Sequence, residues 1–217
     1  MSWREQLYRN ALDEIHDIYV KSKYKEEVDL YRSFDILNSI NENQFASKSW
    51  LVDKLVPHLN HEKLRDIIIL GSWYGLTSML LREHVEPCVK IVNVDSDPST
   101  RQIAERLSKN IEEFENTVYR VDDAANYFLD DPERFEVIIN TSCEHMEDED
   151  TELITRAKNK NALVCFQSNN YHSVQSHINT KNSLDEFVDS LDLFEVIHKE
   201  EMKAPNGNYD RYMVIGI

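Results

Sequence analysis

The stretch from Arg65 to Asp97 constrains the fold more than any other part of this chain. It opens on Ile67-Ile-Ile-Leu70, a short apolar run rich in β-branched residues, the pattern of a strand covered on both faces. Gly71 and Gly75 then bracket a tight turn. Leu76 to Glu83 follows with apolar residues at Leu76, Met79 and Leu80, a helical spacing. Val89 to Val94 is a second buried run, and it ends on an acid, Asp95. Strand, glycine turn, helix, strand and acid make a βαβ unit of the kind that holds a nucleotide-like ligand. The turn amides and helix start face the ligand, and the acid accepts from ribose hydroxyls. Gly71 and Asp95 stand close to the roughly 20 residues apart expected of such units. The turn departs from the Gly-x-Gly-x-x-Gly fingerprint, because Trp73 occupies the second glycine position.

The periodicity on either side fills in the fold. Helices are expected over residues 2–20 and 26–40, the latter with Val28, Tyr31, Ile36 and Ile40 turned inward. A third is expected over Ser47–Leu59, with Ser47 or Ser49 as its N-cap. No glycine or proline occurs between Met1 and Val56 to punctuate these helices. Beyond the βαβ unit, helices are expected over Pro98–Phe114, Ala124–Leu129, Glu149–Lys158 and Ser183–Leu191, the last opened by a Ser-x-x-Glu capping box. Strands are expected over Val118–Val121, Phe135–Asn140 and Ala162–Gln167. Two more, Phe194–Met202 and Tyr209–Ile217, flank an Asn206-Gly207 hairpin turn. Alternating strands and helices argue for a parallel sheet with helices on both faces, closed by one antiparallel strand. The organisation read from this is an N-terminal helical extension or lid over 1–60 and a Rossmann-like domain over 61–217.

Charge narrows the partners. The formal net charge is −16. Residues 1–60 carry only −2 of it, so the acidity sits on the α/β part. Such a surface repels nucleic acid without excluding it, and the best basic candidate, Lys21-Ser-Lys-Tyr-Lys25, is short. No apolar run reaches membrane-spanning length. The first residues lack a signal-peptide core, and the three cysteines form no paired framework, so a cytoplasmic location with reduced thiols is expected.

From Arg65 onward the sequence resembles the class I S-adenosylmethionine-dependent methyltransferases. Four segments carry the resemblance: Ile69-Leu-Gly-Ser-Trp-Tyr-Gly, Val92-Asn-Val-Asp-Ser-Asp-Pro, Val121-Asp-Asp-Ala, and Phe135 through His145 to Asp148. The resemblance implies a seven-stranded mixed sheet of order 3-2-1-4-5-7-6 and S-adenosylmethionine as cofactor. It implies that Gly71, Ser72, Trp73 and Gly75 surround the methionine end. Asp95, with Ser96 beside it, holds the ribose, Asp123, with Ala124 beside it, the adenine, and Asn140 and Thr141 after the fourth strand face the cofactor. Two positions depart from the pattern: the family's first acid falls on Ile69, and its central glycine on Trp73. The implied activity is methyl transfer to a small or modest-sized acceptor. The alternatives are a Rossmann-like binding protein without turnover, or other chemistry on the same cofactor.

Methyl transfer needs alignment in a dry pocket, and a base only where the acceptor is protonated. Glu144 and His145, just after the fourth strand, are the candidates for that chemistry; as ordinary helix-start residues they would be structural. Lys48, Tyr74 and Asn169 are candidates for the acceptor side. Trp73 and Tyr74 either stack on a planar acceptor or plug an empty site. Asn140-Thr-Ser-Cys is unlike the Asn-Pro-Pro-Tyr loop that holds a flipped base. No metal is expected, since His172 and His177 lack an acidic partner at ligand spacing.

Overall fold

The computed structural model describes residues 2–22, 30–111 and 114–217. The strands β1 (Asp66–Leu70), β2 (Lys90–Asp95), β3 (Thr117–Val121), β4 (Val137–Asn140), β5 (Leu163–Asn169), β6 (Val196–Lys203) and β7 (Asp210–Gly216) form one sheet. Its order is β3-β2-β1-β4-β5-β7-β6, as the resemblance implies. β1 pairs in parallel with both β2 and β4, and β7 runs antiparallel between β5 and β6. The helices are α1 (Trp3–Ser22), α2 (Leu30–Ser39), α3 (Glu42–Leu55), α4 (Leu76–Leu81), α5 (Pro98–Leu107), α6 (Ala124–Leu129), α7 (Asp148–Ala157) and α8 (Leu184–Asp189).

Strand alternation divides the core into two layers. Ile67, Ile69, Ile91 and Ile139 join Leu7, Ile36, Leu51, Leu55 and Leu80 on one side. Ile68, Leu70, Val92 and Ile138 join Phe128, Ile154 and Phe187 on the other. Each fully buried aliphatic side chain contributes about 1.5–3 kcal/mol of transfer free energy, so central β1, with four of them in a row, anchors both layers.

The N-terminal helices differ from expectation in instructive ways. α3 starts at Glu42, a turn earlier than Ser47, because the Asn41 side chain accepts from the Gln44 amide at 3.0 Å. Ser47 is instead an interior residue whose hydroxyl donates to Gln167 Oε1 at 3.2 Å. On α2, Ile36 and Ile40 face the core while Tyr31 is 87% exposed. Tyr31 lies five residues from Ile36, about 140° away around a helix. Val28 and the basic run from Lys23 to Lys25 lie outside the described residues. α5 stops at Leu107 rather than at Phe114; Asn110 then takes a left-handed φ of 61°, which ends a helix at little cost. Ser168 and Asn169 prolong β5 beyond the expected Gln167, paired with Tyr212 and Arg211 of β7. Glu144 and His145 lie in a single 3₁₀ turn, Cys143–His145, and α7 begins three residues later.

No helix among the described residues is long and apolar enough to cross a membrane.

Candidate active site

The turn after β1 is left-handed at three of its residues. Gly71, Trp73 and Gly75 have φ of 60°, 49° and 81°. Trp73 thus holds a left-handed conformation that costs a non-glycine residue about 1–2 kcal/mol. Its amide donates to Asp95 Oδ2 at 2.7 Å, a charge-assisted bond that offsets the strain. The Asp97 amide donates to the other oxygen of Asp95 at 3.1 Å. Asp95 therefore organises the turns at the tips of β1 and β2. Burial pushes its carboxyl pKa up, and the amides of Asp97 and Trp73 pull against that rise.

Gly75 has a packing role. A Cβ there would lie 2.8 Å from Tyr119 Cε1 and 2.9 Å from its hydroxyl. Strain in φ adds to the clash, so Gly75→Ala should destabilise the fold by about 1–3 kcal/mol in urea unfolding. A variant as stable as the wild type would contradict this packing.

A cleft of about 820 Å³ opens beyond these strand ends. Asp95, Ser96, Asp123 and Ala124 line it, together with Gly71 and Trp73. So do Asp35 of α2, Asp97, Glu147 and Asp150, making six carboxylates with no lysine or arginine among the described lining residues. Asp123 also caps α6, accepting from the Asn126 amide at 2.9 Å. Burial raises the pKa of Asp150, and the neighbouring carboxylate of Asp123 adds to the rise. Arg32 stands behind one wall: its Nη1 donates to Asp97 Oδ2 and to the Tyr74 hydroxyl, each at 2.9 Å. Those bonds tie α2 to the tip of β2.

A second cavity of about 390 Å³ adjoins the first, sharing Gly71, Trp73, Ser142 and His145 as a common wall. Its character is different. It holds Lys48 and Arg211, each 6% exposed, with Glu144 and Asn169. Asn169 Nδ2 donates to Glu144 Oε1 at 2.5 Å, and Arg211 Nη2 lies 3.7 Å from the same oxygen. Burial pushes the Lys48 amine down to about 7, with the Arg211 charge adding and Glu144 opposing. His177 enters the cavity from the loop after β5, and burial lowers its pKa.

At the level of sequence no family model and no curated protein matches the chain. Solved structures do. An O-methyltransferase from Bacillus cereus in complex with SAH is similar over 85% of this chain and 87% of its own, with a TM-score of 0.61 and 11% identity. A putative O-methyltransferase from Klebsiella pneumoniae is similar over 82% and 81%, with a TM-score of 0.59 and 11% identity. A geranyl diphosphate methyltransferase in complex with GPP and sinefungin is similar over 80% and 77%, again with a TM-score of 0.59 and 11% identity. This chain has the class I methyltransferase fold.

Within the methyltransferase fold, the residues singled out from sequence fall into three groups. Gly71, Trp73, Asp95, Ser96, Asp123 and Ala124 line the large cleft. Lys48, Thr141, Glu144 and Asn169 line the small cavity, and Gly71, Trp73 and His145 line both. Four line neither. Ser72 is buried with its amide on Val94 O at 3.0 Å. Gly75 packs on Tyr119. Asn140 is fully buried, accepting from the Ser142 amide at 2.9 Å, so it shapes the wall from behind. Tyr74 is 2% exposed, its ring stacked on Trp73 and its hydroxyl on Arg32. Tyr74, a candidate for the acceptor side, is packed into the core rather than lining either cavity. Ile69, at the position of the family's first acid, also belongs to the core.

Among the cavity-lining residues, sequence reasoning missed Asp35 and Arg211, and weighed His177 only with His172. Arg211 carried a signal: a charge beside the apolar run Tyr212–Ile215, in a strand whose register sets it opposite Asn169.

Proposed function

We propose that the protein is an S-adenosylmethionine-dependent methyltransferase acting on a small or modest-sized polar acceptor. One observation carries the reading: the cleft on the ligand edge of this fold is walled by carboxylates and has no lysine or arginine among its described lining residues. Such a field repels the phosphates of a dinucleotide and attracts a cation. S-adenosylmethionine supplies, when bound, a methyl carbon activated by a positively charged sulfur.

The residues present fit that group. Each Asp95 oxygen accepts one backbone amide and retains a lone pair for a ribose hydroxyl. Asp123 spends one oxygen on its helix cap and faces the cleft where the adenine amino group would lie. Trp73 and His145, on the wall shared by the two cavities, stand where donor and acceptor meet. The small cavity would hold the acceptor. Lys48, with a pKa near 7, presents a neutral amine to part of the population at neutral pH and is the group placed to take the acceptor's proton. Helices α2 and α3 supply Asn38, Gln44 and Lys48 to that cavity, which fits the N-terminal helices to the role of a lid.

The buried Ile69 favours a second reading, in which the methionine end is lost and the fold binds without turnover. A thermal-shift panel separates the two. S-adenosylmethionine and S-adenosylhomocysteine should both raise the melting temperature, while NAD and ATP should not. No shift with either methionine derivative would leave the inert reading.

A further inference from the structure

Two neighbouring side chains and a third some 30 residues later meet in the wall of the small cavity. Glu144 and His145 come from the turn after β4 and His177 from the loop after β5. One donor atom from each lies within 4.8 Å of the others.

Both imidazoles are oriented in the same way. His145 Nδ1 lies 2.9 Å from the Ser176 carbonyl, and His177 Nδ1 lies 2.8 Å from the Tyr171 carbonyl. A carbonyl only accepts, so each Nδ1 carries the hydrogen and each Nε2 is left with its lone pair. That is the outer support that metal-ligating histidines have.

Glu144 is divided in a matching way. Oε1 is occupied by Asn169 and approached by Arg211. Oε2 is shut off from solvent and has no hydrogen-bond partner among the described residues. An unpaired carboxylate oxygen in the interior is costly, and a cation between it and the two imidazoles removes the cost.

We propose that Glu144 Oε2, His145 Nε2 and His177 Nε2 bind one divalent first-row transition-metal ion, with its remaining coordination positions open to the small cavity. Two imidazoles and one carboxylate suit zinc-class ions better than magnesium or calcium, which prefer all-oxygen shells. Bonds of about 2.0–2.2 Å require the three donors to draw together, and exposed His145 has room to move. Arg211 and Lys48 line the same cavity and oppose a dication, which sets the affinity below that of an all-anionic site. The site stands whether or not the large cleft binds S-adenosylmethionine. A role for the ion in binding an acceptor hydroxyl and lowering its pKa rests on the methyl-transfer reading.

The test is direct titration of chelator-treated protein with cobalt(II) and zinc(II), followed by calorimetry and by cobalt's visible absorption. One equivalent should bind. Glu144→Gln and His177→Ala should each weaken binding at least tenfold, with His58→Ala as a control that leaves it unchanged. Should His177→Ala fail to fold, His145→Ala, at an exposed position, carries the same expectation. Absence of stoichiometric binding, or equal affinity in the wild type and the site variants, would overturn the proposal. Neither readout uses methyl transfer, so failure of the metal site and failure of the proposed activity are distinguishable.

Discussion

Lys48→Met is expected to stabilise the protein by about 2–3 kcal/mol more at pH 6 than at pH 9. Lys48 is 6% exposed, and burial holds its pKa near 7 against an ordinary 10.5. The unfolded chain therefore binds more protons at this position than the folded one. Wild-type stability from this group rises with pH between about 7 and 10.5, and the full cost is present below that window. Each unit of the window corresponds to about 1.4 kcal/mol. Methionine fills a similar volume and removes both the cost and the pH dependence, as replacement of buried charges often does. For a chain of this size the extra gain at pH 6 over pH 9 would appear as a further rise in melting temperature of roughly 5–10 °C. Equal melting shifts at pH 6 and pH 9 would mean that Lys48 is not desolvated. On the proposed function the same variant loses its proton acceptor, so greater stability should come with lower turnover.

Asp95→Asn should weaken S-adenosylmethionine binding by about 1.5–3 kcal/mol, the value of a hydrogen bond to a charged group. Calorimetry would read this as a roughly 10- to 150-fold rise in Kd. Asparagine can still accept one of the two backbone amides that Asp95 now receives. Burial has raised the Asp95 pKa, so the charged form costs folding stability at neutral pH, and that cost lifts as pH falls through the raised value. The variant should consequently lose affinity without a comparable loss of stability. On the proposed function the ionised form binds the cationic ligand, so affinity should decline on acidification before an ordinary aspartate would titrate. Unchanged affinity in Asp95→Asn would assign this carboxylate to holding the turns alone.

What the sequence reveals of this molecule follows the range of the forces involved. β1 and its neighbours are legible because four consecutive buried residues and a terminal acid are local signals, and they set the sheet order. Asn41 is harder to read as a cap, since Ser47 and Ser49 are equally good caps by type and the long helical region lacks glycine or proline. The extension of β5 through Asn169 depends on pairing with β7, some 40 residues later, and no local pattern encodes it. His177 shows the same limit: spacing offers His172 as its partner, whereas the chain folds it against His145, with ring centroids 4.6 Å apart. Trp73 is the opposite case. Loss of the glycine suggests a lost turn, yet the residue keeps φ at 49° because Asp95 holds its amide.

Calorimetric titration of the wild-type protein with S-adenosylhomocysteine tests the central claim most directly, since the demethylated product of the proposed reaction needs no acceptor and does not turn over. The account predicts saturable binding of one molecule per chain, weakened in Asp95→Asn. Absence of binding to a folded wild-type protein would contradict it.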